Sequence, residues 1–267
     1  MNNRVQVEIV NHIASVVLNR PDKRNAVDLE MFRELIEAAE SLGSDRSVRA
    51  VVLHGEGASF CAGIDISVFQ GAGIGAVGGD LMQARENSPA NFFQSAAYAW
   101  HELKVPVIAA LHGTVFGAGL QIALGADIRY AAADVKMSIM EIKWGLIPDM
   151  GISTLLRNIV PTDKVRELAY TGRIVGAEEA SELGLVTGIC DDPLAKARSV
   201  ADEIAAKSPD AIRAIKELIN ESWQKDHVGA LRHEALLQGR LMGSANQAEA
   251  VRANMENRTA KFADAES

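Results

Sequence analysis

"HGTVFGAGLQIALGAD", residues 112–127, follows the apolar run VPVIAAL of residues 105–111. The run reads as a short buried strand, with Pro106 near its start, where a missing N–H is tolerated. The glycines beyond it place small residues where a turn enters a helix, so free backbone N–H groups point into space there. A second stretch has the same build: "SFCAGIDI" (59–66) follows a short buried strand in "VRAVVLHGEG" (48–57). Two N–H donors aimed at one oxygen form an oxyanion hole. Taken singly, each stretch also fits an ordinary tight turn.

Working outward, Val5, Val7 and Ile9 alternate with polar neighbours, and Ile13 to Leu18 follow an Asn11-His12 turn, which predicts a hairpin. Asp28 is placed to cap a helix running to about Leu42, with Leu29, Phe32, Leu35 and Ile36 on one face. Residues 126–139 supply two more short extended pieces. From Pro161 the pattern turns helical: 161–171, 177–183, 192–207, 209–224 and two more helices between 226 and 258, with joints at Ser208-Pro209 and Gly243-Ser244. Strands early and helices late predict an α/β core over 1–195 and a helical C-terminal region over 196–267. The strand–strand–helix order lacks the βαβ rhythm of a doubly wound sheet.

The 267 residues include 27 basic and 35 acidic side chains, a net charge of −8, so the chain has no electrostatic footprint for nucleic acid. Any anionic ligand must be held by local groups. No continuous apolar stretch has the length of a membrane span or the form of a signal peptide. Two cysteines, Cys61 and Cys190, are too few for a disulfide framework. Together these predict a cytoplasmic protein with neither membrane nor nucleic-acid partners.

Several motifs carry little. Gly73-x-Gly75-x-x-Gly78 has the spacing of a dinucleotide fingerprint but lacks the preceding strand and the promptly opening helix. Residues 71–80 read instead as a mobile surface loop able to cover a site. His101-Glu102 and His233-Glu234 lack the second histidine of a zinc helix, and no metal is expected. Ser59 and Cys61 have no nucleophile elbow around them. More telling is "MEIKWGLIPDMG" (140–151), where Glu141 and Asp149 stand in an apolar run. They are either loop residues facing water or acids kept in a dry pocket to move protons. Pro148 and Gly151 make a turn-building role for Asp149 the plain alternative. Asp127 reads as structural, and Lys143 and Trp144 as packing and surface residues.

These stretches together resemble the crotonase superfamily, the enoyl-CoA hydratase/isomerase family. "LNRPDKRNAVD" (18–28) is similar to its N-terminal signature, "FCAGIDI" (60–66) and "HGTVFGAGLQIALGADIRYA" (112–131) to its oxyanion loops, "MEIKWGLIPDMG" to its catalytic segment, and "ENRTAKF" (256–262) to its ending. The resemblance implies a spiral of repeated ββα units with a C-terminal helical trimerisation region, a homotrimer or dimer of trimers. It also implies an acyl-CoA thioester substrate and no cofactor beyond the coenzyme A carried by that substrate. The thioester oxygen would be held by the N–H groups of Ile64 and Ala118. The loop Lys23 to Ala26 and Ala62 would lie along the CoA, with Lys23 and Arg24 available for phosphates. Arg258 falls near a basic cluster of the family, but Asn254 replaces a commoner aromatic.

Hydratases of the family place one glutamate where this chain has Gln121 and a second at Glu141. Glutamine exchanges no proton at neutral pH. Family isomerases carry an aspartate similar to Asp149. The resemblance therefore implies an enzyme that shifts a C=C bond of an enoyl- or dienoyl-CoA, with hydration of a 2-enoyl-CoA as the alternative. A non-catalytic acyl-CoA-binding member is a further one. The acyl pocket would draw on 67–103, with Phe69, Phe92, Phe93 and Trp100 as wall or core residues.

Overall fold

The structure, a computed structural model, describes residues 3–69, 81–86 and 88–265, with the side chain of Phe69 left aside. The glycine tract 71–80 lies outside these residues. The chain opens with the hairpin β1 (Val5–Val10) and β2 (Ile13–Leu18), antiparallel and joined by Asn11 and His12 at positive φ of 50° and 70°. Two positive φ values give the turn a twist that matches the strands it joins. Ala14, Val16 and Leu18 alternate inward along β2. Helix α1 (Leu29–Ser44) follows, its first turn capped by Asp28, which accepts from Met31 N at 2.9 Å.

Strand β3 (Ala50–Gly55) is buried along its whole length, as is β4 (Val107–Leu111) after helix α2 (Phe92–Glu102). Continuous burial explains why both read as unbroken apolar runs: layers cover both faces of the sheet. One face packs on α1 and α2. The other sets Ala50, Val52, Ile108 and Ala110 against Ala197 and Ala201. Each fully buried side chain of the size of Leu53 contributes about 1.5–3 kcal/mol.

After β4 the chain steps between two sheets: β5 (Thr114–Phe116), α3 (Ala118–Leu124), β6 (Ile128–Ala131) and β7 (Lys136–Ser138). Beyond the short α4 (Ile152–Leu155) and α5 (Thr162–Thr171), β8 (Val175–Gly176) leads through α6 (Ala177–Glu182) to β9 (Gly188–Ile189). The larger sheet has the order β1-β2-β3-β4-β6-β9, parallel except at the hairpin, and the smaller one β5-β7-β8. One strand for each sheet and then a helix is the repeated ββα turn. The sequence pattern did not anticipate β5, β8 and β9, which have two or three residues each, or α2, which lies in the stretch with the weakest pattern.

Four helices close the described chain: α7 (Pro193–Ala205) against the larger sheet, then α8 (Pro209–Ser222), α9 (His227–Leu241) and α10 (Ala245–Met255). Ser208, Asp226 and Ser244 cap the last three by accepting from backbone N–H groups in the first turn. Lys216 ties α8 to the core: its buried ammonium donates to Asp127 Oδ2 at 2.8 Å and to the carbonyls of Val105 and Trp100. Asp127 also accepts from Val107 N at 2.7 Å, so it is the structural residue its position before a strand suggested.

Candidate active site

The two glycine-bearing turns meet. Cys61 forms a parallel bridge with Val115 of β5, donating from N to Thr114 O at 3.0 Å and accepting from Phe116 N at 3.1 Å. Glycine is required on both sides of this contact. A Cβ on Gly63, whose φ is +97°, would lie 2.9 Å from the Phe116 carbonyl oxygen, and one on Gly119 would lie 2.6 Å from that of Cys61. Ile64 bridges Val27 through its neighbours: Val27 N donates to Gly63 O and Asp65 N to Val27 O. In a parallel bridge this leaves the N–H of Ile64 itself facing away from the partner strand. Ala118 is the first residue of α3, where an N–H finds no acceptor within the helix. Both residues line one cavity of about 400 Å³.

Glu141, Gln121 and Asp149 line the same cavity. Gln121 stands on α3 and is 1% exposed. Its Nε2 donates to Glu141 Oε1 at 2.7 Å, and its Oε1 accepts from Met150 N at 2.8 Å. A backbone N–H can only donate, so the Met150 contact fixes which end of the amide faces Glu141. Glu141 opens a 3-10 turn, Glu141–Trp144, that ends at Gly145 with φ +71°. Its Oε2 is buried with no hydrogen-bond partner among the described residues. Burial pushes the Glu141 carboxyl above the usual carboxylate range, and the nearby charge of Asp149 adds to this, while the bond from Gln121 opposes it. Asp149 stands at the rim, more open to water than Glu141. Enough protein surrounds its carboxyl that desolvation raises it as well.

The remaining walls are mostly apolar, with Phe93, Phe116, Met150, Leu146 and Trp144 among them. Trp144, expected to pack or face solvent, in fact borders the cavity while staying 43% exposed, with Lys143 Nζ 5.5 Å from its ring. Of the wall candidates in 67–103, Phe93 reaches the cavity. Phe92 stacks edge-on against it at 5.3 Å, and Trp100 is fully buried in the core, donating Nε1 to Ala96 O.

Lys23, Arg24 and Ala26 do not line this cavity. Their loop runs beside it, tied by Ala62 N to Arg24 O at 2.9 Å. Lys23 and Arg24 are exposed. The residue that shapes this loop is Asn25, which sequence reasoning passed over. It is fully buried at φ +55°, and its side chain accepts from Arg20 N and donates to Glu56 O and Ser59 O. The signal was there, since asparagine tolerates the left-handed region better than most residues. Arg258 is engaged within the chain, bidentate to Glu249 at 2.6 and 3.0 Å and bonded to Glu256 at 2.6 Å.

Residues 8–265 match the family model described as enoyl-CoA hydratase/isomerase. An enoyl-CoA hydratase of Mycobacterium tuberculosis is 33% identical over 267 residues, covering 96% of this chain and 95% of that protein. The human mitochondrial Delta(3,5)-Delta(2,4)-dienoyl-CoA isomerase is 32% identical over 266 residues, covering 94% and 78%. The crystal structure of an enoyl-CoA hydratase from Bacillus anthracis superposes with a TM-score of 0.88 at 28% identity, covering 97% of this chain and 98% of that one. With the family model matching nearly the whole chain and the ββα spiral in place, the chain belongs to the enoyl-CoA hydratase/isomerase family of acyl-CoA enzymes.

Proposed function

We propose that this enzyme moves a C=C double bond along the acyl chain of an enoyl- or dienoyl-CoA, with Glu141 and Asp149 as its proton carriers. One observation carries the reading. Gln121, at the position of the first hydratase glutamate, spends both ends of its amide on Glu141 and Met150, so the second proton-active group on the cavity is Asp149. The thioester oxygen sits between the N–H groups of Ile64 and Ala118. An ionised carboxylate of the pair takes a proton from the acyl chain, and the electron pair moves into the thioester oxygen as an enolate. The other carboxyl returns a proton elsewhere along the conjugated chain. Composition is unchanged, and the pair has only exchanged which member holds its shared proton. Lys23 and Arg24 meet the CoA phosphates as exposed cations, and Ala26 and Ala62 flank the chain. Apolar surface left open on the C-terminal helices, such as Trp223 at 70% and Leu231 at 65%, supports a homotrimer or a dimer of trimers.

Mass spectrometry of the products from 2-enoyl-, 3-enoyl- and 3,5-dienoyl-CoA in heavy water tests the reading. An isomer with no water added, with or without exchanged deuterium, supports it. Addition of one water to the 2-enoyl substrate as the dominant reaction would assign hydration instead, and inertness toward all three would favour a binding role or another acyl group. The oxyanion assignment has its own test in Gly63→Ala. The added methyl meets the Phe116 carbonyl and strains a backbone at φ +97°, displacing the N–H of Ile64. Losing one such donor costs about 2.7–4 kcal/mol, so kcat is expected to fall roughly 10²–10³-fold. A kcat within twofold of the parent enzyme would remove Ile64 from the hole.

A further inference from the structure

Glu217 and Glu221 are four residues apart on α8 and therefore share one face of that helix. His233 of α9 faces both: its Nε2 lies 3.9 Å from Glu217 Oε1 and 3.7 Å from Glu221 Oε2. One ligand atom from each of the three residues falls within 4.8 Å of the others. The histidine side chain is only 9% exposed, and its Nε2 is buried with no hydrogen-bond partner among the described residues. A nitrogen aimed at two carboxylates yet too far for a hydrogen bond, which needs about 2.7–3.2 Å, is a costly arrangement unless something sits between them.

A metal ion has the right dimensions. Tetrahedral zinc with bonds of about 2.0–2.1 Å spaces its ligand atoms by roughly 3.4 Å, a few tenths less than the two nitrogen–oxygen separations of 3.9 and 3.7 Å. One imidazole and two carboxylates suit a first-row divalent transition metal, whereas calcium and magnesium prefer oxygen donors alone. We infer that Glu217, Glu221 and His233 form a binding site for a zinc-like divalent cation that joins α8 to α9. Lys225 Nζ at 3.0 Å from Glu221 Oε2 and Arg240 Nη1 at 3.4 Å from Glu217 Oε1 now share these oxygens. Both are long side chains, 35% and 59% exposed, and can swing toward water when an ion enters. Both glutamates border an open groove of about 780 Å³, which gives the ion a path in. A search for two histidines on one helix passes over this site, because its ligands come from two helices.

The rival explanation is a protonated His233 attracted to both glutamates with no metal. Full-length protein stripped with a chelator and titrated with zinc chloride separates the two, read by calorimetry and by melting temperature. One zinc per chain and a higher melting temperature are expected. Binding should weaken at least tenfold in Glu221→Gln, in Glu217→Gln and in His233→Gln. The glutamate variants alter partly exposed side chains and keep the test valid if the histidine variant does not fold. No zinc-dependent rise in melting temperature, or equal binding by Glu221→Gln and the parent protein, would overturn the site.

Discussion

Glu141→Gln is expected to lower kcat by about a hundred- to ten-thousand-fold while leaving CoA affinity within a factor of a few. The range is what a positioned proton-transfer group typically contributes. The selectivity comes from the geometry. A glutamine at 141 can keep its carbonyl oxygen against Gln121 Nε2, where Glu141 Oε1 now accepts at 2.7 Å, so the cavity wall holds its shape. What is lost is the buried Oε2, which has no partner among the described residues and so remains free for a proton. Kinetics with the isomerisable substrate give kcat, and calorimetry with a substrate analogue gives affinity. Retained turnover would sink the proton-carrier role, and lost affinity would recast Glu141 as a binding residue.

The same substitution has a stability consequence whose sign follows from burial. Glu141 has its carboxyl raised above the unfolded value, so folding favours the protonated form. That contribution is present below the unfolded carboxylate range and is lost as pH rises through the higher folded value. At neutral pH the ionised side chain is therefore a burden that a neutral amide removes. The variant should melt higher than the parent at neutral pH, with the difference shrinking toward acid.

How much of this was legible in the sequence depended on what each residue answers to. The hairpin, α1 and the C-terminal helices answer to local signals: alternation along β2, the Asp28, Ser208 and Ser244 caps, Pro209 at a first turn. Their ends fall within a few residues of the sequence reading. The two glycine-bearing turns could be read because few residues but glycine fit where two backbones touch, as at Gly63 and Gly119. Strands of two or three residues could not, since β8 and β9 exist only because a neighbouring strand supplies their hydrogen bonds. The role of Gln121 was half legible. Its identity excluded an acid, but the Met150 N–H that orients its amide belongs to a loop 29 residues away. Trp144 was half legible for a related reason: it is exposed as expected, but an aromatic next to a cavity differs from any other surface one only in its surroundings.

Asp149→Asn is expected to lower isomerisation by roughly 10²–10⁴-fold as well, and to change the pH profile in a way a turn-building role would not. With both acids present, the working state holds one proton between them, so kcat should be bell-shaped. Its limbs report the two apparent pKa values of the pair. Both carboxyls are raised by desolvation, which puts the acid limb above the ordinary carboxylate range. Asparagine cannot supply the last proton, so the alkaline limb should vanish from the residual activity. Asparagine, like the protonated Asp149 of the working state, puts no charge beside Glu141, so the acid limb should stay in place. The limb stays above the ordinary range, because desolvation is the larger cause and is untouched. A turn residue, by contrast, predicts a drop in melting temperature with both limbs in place. Full isomerase activity with an unchanged bell would separate Asp149 from the chemistry and leave Glu141 to move both protons.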